Sequence, residues 1–434
     1  MNQFFLYPSS SANFKNKANL NYFRNKEISY KKIENAYALP PKNVWQEGKK
    51  IRWGGVVDSN GAYLKESGRF RNETHTLETG VMMGGYEFNK TFCPTIKGEV
   101  IYLGEYLDHW GHFLLESTTR LWYVVQNRRP NQKLVFVAQK KLKITGNFKN
   151  FFNLLGIEIK DIILITRPTK LEGVIVPEPS SVLGCYYTKE FSEPFLKVQE
   201  HVAPETIERI YLSRRKCNIR FIIGEDQLES VFKQNGFTVI YPEKLPLQKL
   251  IALFKGAEYI AGVSGSSMHN ALFAPAQTKL IVLNRTQNFN QPQGLINQAM
   301  NIDSAFVDAY FNFLPVENFY WLGITSPFKE MCQTYNFSLN KVPPPTPKQA
   351  KIFFNRWLKE LPRQTEVLTP EYFRNSSEVA HLLFSQMTLF SPLHQKMDLL
   401  KYGVLSKISW GAHKKKYKTK LRHYQEKYGV LPKN

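Results

Sequence analysis

Between Arg209 and Leu283 the chain alternates evenly between short apolar runs and amphipathic segments, and this rhythm restricts its fold more than any other feature. Arg209–Ser213, Phe237–Tyr241, Tyr259–Val263 and Lys279–Leu283 read as strands. Glu225–Asn235, Pro246–Lys255 and Met268–Phe273 read as the helices between them, with Gly236 ending the first. Strands that are apolar along their whole length are buried on both faces, as in a parallel sheet covered by helices. A compact β-α-β-α-β-α-β unit of the doubly wound kind is expected.

A looser version of the same alternation precedes it. Glu99–Leu103, Lys133–Ala138, Asp161–Ile165 and Leu171–Pro177 read as strands. Residues 109–127 and Asn147–Leu155 have helical periodicity, with Phe113, Leu114, Leu121 and Val125 as core candidates. The class is therefore α/β, with two Rossmann-like units. Four segments follow: an irregular basic arm over 1–50, an α/β domain over 51–200, a second over 201–300, and a mostly helical extension over 301–434. In the extension, the proline run Val342–Pro347 leads into helical spacing at Lys348–Leu361, and Glu378–Phe390 is a further helix candidate. The tail from Lys414 to Lys427 is basic and aromatic.

The net charge of +22 over 434 residues calls for an anionic partner: nucleic acid, an acidic membrane leaflet or a phosphate-bearing substrate. Charge alone does not choose among them. The four cysteines form no CxxC pair, which argues against a structural zinc site and a disulfide framework. No apolar run approaches the ~18 residues of a membrane span, and the N-terminus lacks a signal-peptide core. A cytoplasmic location is expected, with peripheral contact at the inner membrane leaflet.

Three constellations can carry chemistry. Ser264-Gly265-Ser266-Ser267, with His269 and Asn270 after it, follows a buried strand and opens a helix. Small residues at such a turn admit a diphosphate to backbone N–H groups. The bland alternative is a tight turn capped by serines. Neither GxGxxG nor GxxxxGK[ST] occurs, so nicotinamide and P-loop readings are weak. Arg214 and Arg215 stand at the end of the first strand of the same unit, where a guanidinium suits phosphate; a solvated basic loop fits equally well. Asp108, His112, Glu116 and Arg120 are spaced four apart and on one helix would share a face. Any of His112, Glu116 or Asp108 can then act as a general base, with Arg120 on the acceptor side. The competing reading is a capped helix with surface ion pairs. HExxH is absent, and no aspartate is followed two residues later by another, so no bound metal is expected.

With these residues in hand, the chain resembles glycosyltransferase family 61, including its bacterial capsular-polysaccharide members. One block is His112-Phe113-Leu114-Leu115-Glu116 with Arg120-Leu121. The other runs Arg209-Ile210-Tyr211-Leu212-Ser213-Arg214-Arg215, then Arg220, Glu225, Gly236-Phe237, Pro242-Glu243, Gln248, Phe254, Ala257, Gly262, Gly265, Asn270, Phe273 and Pro275. The resemblance covers roughly residues 50–290. It implies a GT-B-like, metal-independent, inverting transferase, with two Rossmann-like domains facing a cleft. The second domain would hold the nucleotide-sugar donor, and a glycan or lipid-linked glycan acceptor of capsule or lipopolysaccharide type would bind in the cleft. On this resemblance Arg214 contacts the nucleotide phosphates, the Gly262–Asn270 turn cradles the donor, Glu243 holds a ribose or base edge, and His112 lies near the acceptor. Three departures stand out. Ser264 replaces a family histidine, a loss His269 partly offsets; Thr118-Thr119-Arg120 replaces Leu-Pro-Arg; Gly224-Glu225 replaces Asn-Glu. The competing expectation is a non-catalytic, basic nucleic-acid-binding protein, against which no RNA-binding signature appears.

Overall fold

The structure is a computed structural model that describes residues 4–7, 20–46, 49–71, 82–217, 221–311, 319–340 and 411–427, with a few isolated positions between 342 and 406. The helix candidates Lys348–Leu361 and Glu378–Phe390 fall almost wholly outside these residues. The chain divides into two compact units. The first comprises Met1–Leu212, Phe237–Leu283 and Asn288–Val307; the second comprises Ser213–Gly236, Asn284–Gln287 and Asp308–Asn434.

The first unit begins with strand β1 (Phe4–Tyr7) and then builds a mixed sheet. Its strands are β2 (Tyr30–Gln46), β3 (Lys49–Val57), β4 (Tyr63–Leu64), β5 (Thr95–Glu105), β6 (Leu134–Val137), β7 (Ile162–Ile165) and β8 (Thr169–Pro177). The order across the sheet is β4-β3-β2-β8-β5-β6-β7. Strands β8, β5, β6 and β7 pair in parallel, while β2 is antiparallel to both β3 and β8. Strand β6 is buried along its whole length, as its unbroken Leu-Val-Phe-Val run requires. Helices α1 (Leu121–Asn127) and α2 (Gly146–Leu154) connect this layer. A small antiparallel pair follows, β9 (Ser181–Val182) with β10 (Tyr186–Tyr187), and then α3 (Glu193–Glu200).

Part of the segment expected as an irregular arm is therefore sheet. The long strand β2 escaped notice because Pro40 and Pro41 interrupt its alternation. Its register with β3 shifts between Leu39 and Lys42, and a bulge is where a strand tolerates proline.

The regular alternation after residue 208 forms a second sheet. It contains β11 (Arg209–Leu212), β13 (Thr238–Ile240), β14 (Tyr259–Val263), β15 (Lys279–Asn284) and β16 (Asp303–Asp308). The order is β1-β16-β15-β14-β11-β13, and β1–β16, β15–β14, β14–β11 and β11–β13 pair in parallel. The two strands that the chain skips between, β11 and β14, lie side by side in register Leu212↔Gly262. In an open α/β sheet the carboxyl ends of such a pair mark the switch point where ligands bind.

Both sheets share one core. Ile101, Phe136, Ile210, Ile260 and Leu280 belong to a single apolar cluster with Phe113, Phe151 and Phe273. Helix α2 meets α5 (Leu247–Gly256) directly: the Asn147 side chain donates to the Leu245 carbonyl at 3.2 Å and accepts from the Leu247 N–H at 3.0 Å. Helix α6 (Gln291–Ala299) completes this unit.

The second unit holds α4 (Glu225–Gln234), α7 (Ser326–Thr334) and a parallel pair of strands, β12 (Phe221–Ile223) and β17 (Phe319–Trp321). Phe232 of α4 packs against Phe328 and Phe337. Gly224, at φ 85°, precedes α4, and a Cβ there would lie 1.9 Å from the Leu322 carbonyl oxygen. Only glycine combines that φ with that approach. The basic tail forms α8 (Gly411–Lys427).

Candidate functional site

The segment expected as one helix over 109–127 is broken three ways. Trp110–His112 makes a short helical turn, Phe113–Ser117 a π-helical turn, and α1 starts only at Leu121. A π-turn widens the helix and changes which side chains align, and such turns favour functional sites. Phe113 anchors the segment, fully buried and stacked on Trp110 at 5.7 Å between ring centres. Because the register changes, Val125 emerges 36% exposed rather than in the core.

The break also separates the four residues expected on one face. His112 and Glu116 do meet: Nδ1 lies 2.5 Å from Oε2. Asp108 points elsewhere, half-exposed, 3.8 Å from Lys140. Arg120 is buried rather than facing an acceptor. Its guanidinium donates to the carbonyls of Pro177 at 3.0 Å, Glu66 at 2.5 Å and Gly68 at 2.6 Å. It acts as a clamp on three backbone segments, a role the four-residue spacing does not reveal.

Glu116 sits at the centre of a buried charge array. Arg69 Nη1 contacts Oε1 at 2.6 Å, and Arg71 Nε lies 3.4 Å from the same oxygen. Arg69 Nε also reaches Glu105 Oε2 at 2.9 Å, and Arg52 pairs with the other oxygen of Glu105. Burial alone would push the Glu116 carboxyl up, but the hydrogen bond to His112 and the charges of Arg69 and Arg71 hold it down at about 2. Glu116 is therefore a fixed anion near neutral pH and a poor proton acceptor. The His112 side chain is 43% exposed, with Nδ1 taken by Glu116, so Nε2 is the nitrogen left for chemistry. Sequence reasoning missed Arg69, Glu105 and Arg52. They come from distant parts of the chain and share no spacing with His112.

The Ser264–Ser267 turn follows β14 at its carboxyl end. It leads into a single 3₁₀ stretch, Met268–Phe273, rather than the expected α-helix, so its helix dipole is small. The turn is held in place by side chains. Asn270 Nδ2 donates to the Ser267 carbonyl at 2.8 Å, and Trp110 Nε1 donates to Asn270 Oδ1 at 2.9 Å. Ser264 Oγ accepts from Asn290 at 3.1 Å. His269 is largely buried.

The turn and the His112 segment are in direct apposition. A Cβ on Gly111 would lie 2.8 Å from Ser266 Oγ and 3.0 Å from His269 Nδ1. Glycine at 111 thus lets the segment that carries His112 pack against the Ser266 turn. Both belong to the first unit.

Arg214 and Arg215 belong to the second unit. The Arg214 backbone N–H donates to Glu225 Oε1 at 2.8 Å, and Arg215 lies 3.4 Å from Glu229. Burial pushes the Glu225 carboxyl up to about 7, against the pull of that N–H and the Arg214 charge. Glu229 also takes Ser213 Oγ at 3.0 Å and Lys233 at 2.8 Å. Glu243 is exposed on a 3₁₀ turn, Pro242–Lys244. Among the described residues no three His, Cys, Asp or Glu side chains gather as a metal-binding group, and no helix is long and apolar enough to cross a membrane.

The parallel sheet thus has a small-residue turn at its switch point, packed against the segment that carries a histidine–carboxylate pair, an α/β arrangement compatible with a Rossmann-like transferase. Residues 110–281 match the family described as Glycosyltransferase 61, a stretch that includes both the pair and the turn. That segment is a glycosyltransferase family 61 domain, and the protein that carries it is a glycosyltransferase. The search of curated proteins returned no match.

Proposed function

We propose that the protein moves a sugar, with inversion, from a nucleotide-sugar donor to the hydroxyl of a glycan acceptor. The observation that carries this reading is the 2.5 Å His112–Glu116 pair set against the Ser264–Asn270 turn across Gly111. The acceptor oxygen attacks the anomeric carbon of the donor sugar while the bond to the diphosphate breaks. The acceptor proton passes to Nε2 of His112, and the diphosphate leaves with the bonding electrons. Glu116, held ionised, orients the imidazole and stabilises the imidazolium that forms, as a carboxylate does beside any histidine base. Backbone N–H groups of the turn meet the leaving diphosphate.

Further parts of the reading rest on the family resemblance. They include a GT-B-type arrangement, a cell-surface acceptor of capsule or lipopolysaccharide type, and cytoplasmic work at an anionic leaflet. On the same ground Arg214 is proposed to touch nucleotide phosphate and Glu243 a ribose or base edge. Each is tested by itself, with Arg214→Ala and Glu243→Ala in donor titrations by calorimetry. No bound metal is required, so transfer should persist in EDTA; loss of activity restored by a divalent cation would refute that part. The decisive experiment for the whole is product analysis with a panel of nucleotide sugars, which should show release of one nucleoside diphosphate per sugar transferred.

A further inference from the structure

The buried array behind His112 extends further than a base and its orienting carboxylate require. A chain of contacts runs from His112 through Glu116, Arg69 and Glu105 to Arg52. The side chains of Glu116 and Glu105 are 2% and 1% exposed, and that of Arg69 is 7% exposed. Arg69 is also fixed through its backbone. Its N–H donates to the Met82 carbonyl at 2.7 Å, and the Met82 N–H donates back at 3.0 Å. The guanidinium therefore projects from a pinned position, with Nη1 on Glu116 and Nε on Glu105. Arginine alone presents two such donors in a rigid fork.

We infer that Arg69 is a positioning residue for transfer: by occupying Oε1 of Glu116 it leaves Oε2 to face Nδ1 of His112, and so decides which ring nitrogen receives the acceptor proton. The inference rests on the reading of His112 as the base. It goes beyond that reading by assigning the tautomer to a residue outside the matched family segment. The groups facing Glu116 are His112 from its own turn, Arg69 and Arg71 from the segment after β4, and Glu105 of β5 and Arg52 of β3 beyond Arg69. Without Arg69, burial of Glu116 is opposed only by His112 and the more distant Arg71, and the carboxyl takes a proton more readily. A protonated Glu116 donates its O–H to Nδ1. The ring proton then sits on Nε2, and the histidine can no longer act as a base there.

The test reads the tautomer directly, without a substrate, by nitrogen NMR of the full chain labelled in histidine. His112→Gln identifies the His112 signals. In the wild type the neutral form of His112 should carry its proton on Nδ1. In Arg69→Met the Nε2–H form should appear, and Arg69→Lys should restore most of the wild-type signal. Should Arg69→Met fail to fold, Arg69→Gln, which keeps a polar end but no charge, should give the same change. A folded Arg69→Met or Arg69→Gln with the wild-type tautomer throughout overturns the inference. Transfer assays keep the two ideas apart. Full transfer by His112→Gln removes the base reading whatever the NMR shows. A tautomer unaffected by Arg69, with transfer still dependent on His112, removes only the role of Arg69.

Discussion

In the proposed mechanism His112 and Glu116 carry the chemistry through the way they divide the proton between them. Glu116, held down at about 2, stays ionised, while His112 offers a half-exposed ring. His112→Gln should keep donor binding and lower kcat by about a hundredfold or more, the usual range for removing a general base; comparing calorimetry with initial rates checks this. Two carboxyls also set the response of stability to pH. The Glu116 value is depressed, so its contribution is present above the unfolded value near 4.5 and is lost as pH falls toward about 2. The Glu225 value is raised to about 7, so its effect has the opposite sign: stability falls as pH rises from near 4.5 through about 7. Glu225→Gln should therefore raise the melting temperature at about pH 8 and leave it nearly unchanged at about pH 4, which thermal melts at the two values measure. At this scale the sequence was half legible. The four-residue spacing of His112 and Glu116 points to their contact because one turn joins them. The same spacing misplaces Asp108 and Arg120, since it assumes a helix that the π-turn and the break at Thr118–Arg120 interrupt. Arg69 had no local signal, because its partners are fixed by sheet pairing rather than by spacing.

Two elements depend on glycines at close approaches. Gly111→Ala places a methyl 2.8 Å from Ser266 Oγ and 2.9 Å from Ser266 Cβ, so the turn or the His112 segment must move. Displacements of about 1 Å at a reacting centre cost rates of about a hundredfold. The variant should lose kcat to that extent while its melting temperature falls only modestly, and parallel rate and melting measurements check the split. Gly224→Ala meets the Leu322 carbonyl at a positive φ and should destabilise the second unit by about 2–4 kcal/mol, seen in chemical denaturation. The elements from Arg209 to Leu283 were legible almost residue by residue. Fully buried parallel strands leave unbroken apolar runs, and the helices between them leave a clear period. The exceptions are Phe221–Ile223, a three-residue strand paired with the distant β17, and Met268–Phe273, where six residues are too few for periodicity to distinguish 3₁₀ from α. Strand β2 was hidden for the opposite reason, its alternation broken by Pro40 and Pro41.

Over the whole molecule, the histidine–carboxylate pair and the switch-point turn lie within one compact unit with a shared core, a grouping not visible in the sequence expectation of separate domains meeting near residue 200. Long-range packing of α2 on α5 produces it, and periodicity reports only local order. The positive charge is concentrated most visibly on α8, where Lys414, Lys415, Lys416, Lys418 and Lys420 are all exposed. These lysines make the expected hold on an anionic leaflet electrostatic, at about 1 kcal/mol per basic residue near the surface. Removing the chain after Gly411 should abolish co-sedimentation with anionic vesicles and leave transfer to a soluble acceptor intact; equal co-sedimentation would exclude this role for α8. The account as a whole turns on His112 performing transfer beside the Ser264–Asn270 turn. Its most direct test is mass spectrometry of products from wild type and His112→Gln, each given a mixture of nucleotide sugars and glycan acceptors. The account predicts an acceptor heavier by one sugar with the wild type, and about a hundredfold less of it with the folded variant. Equal product from the two would contradict it.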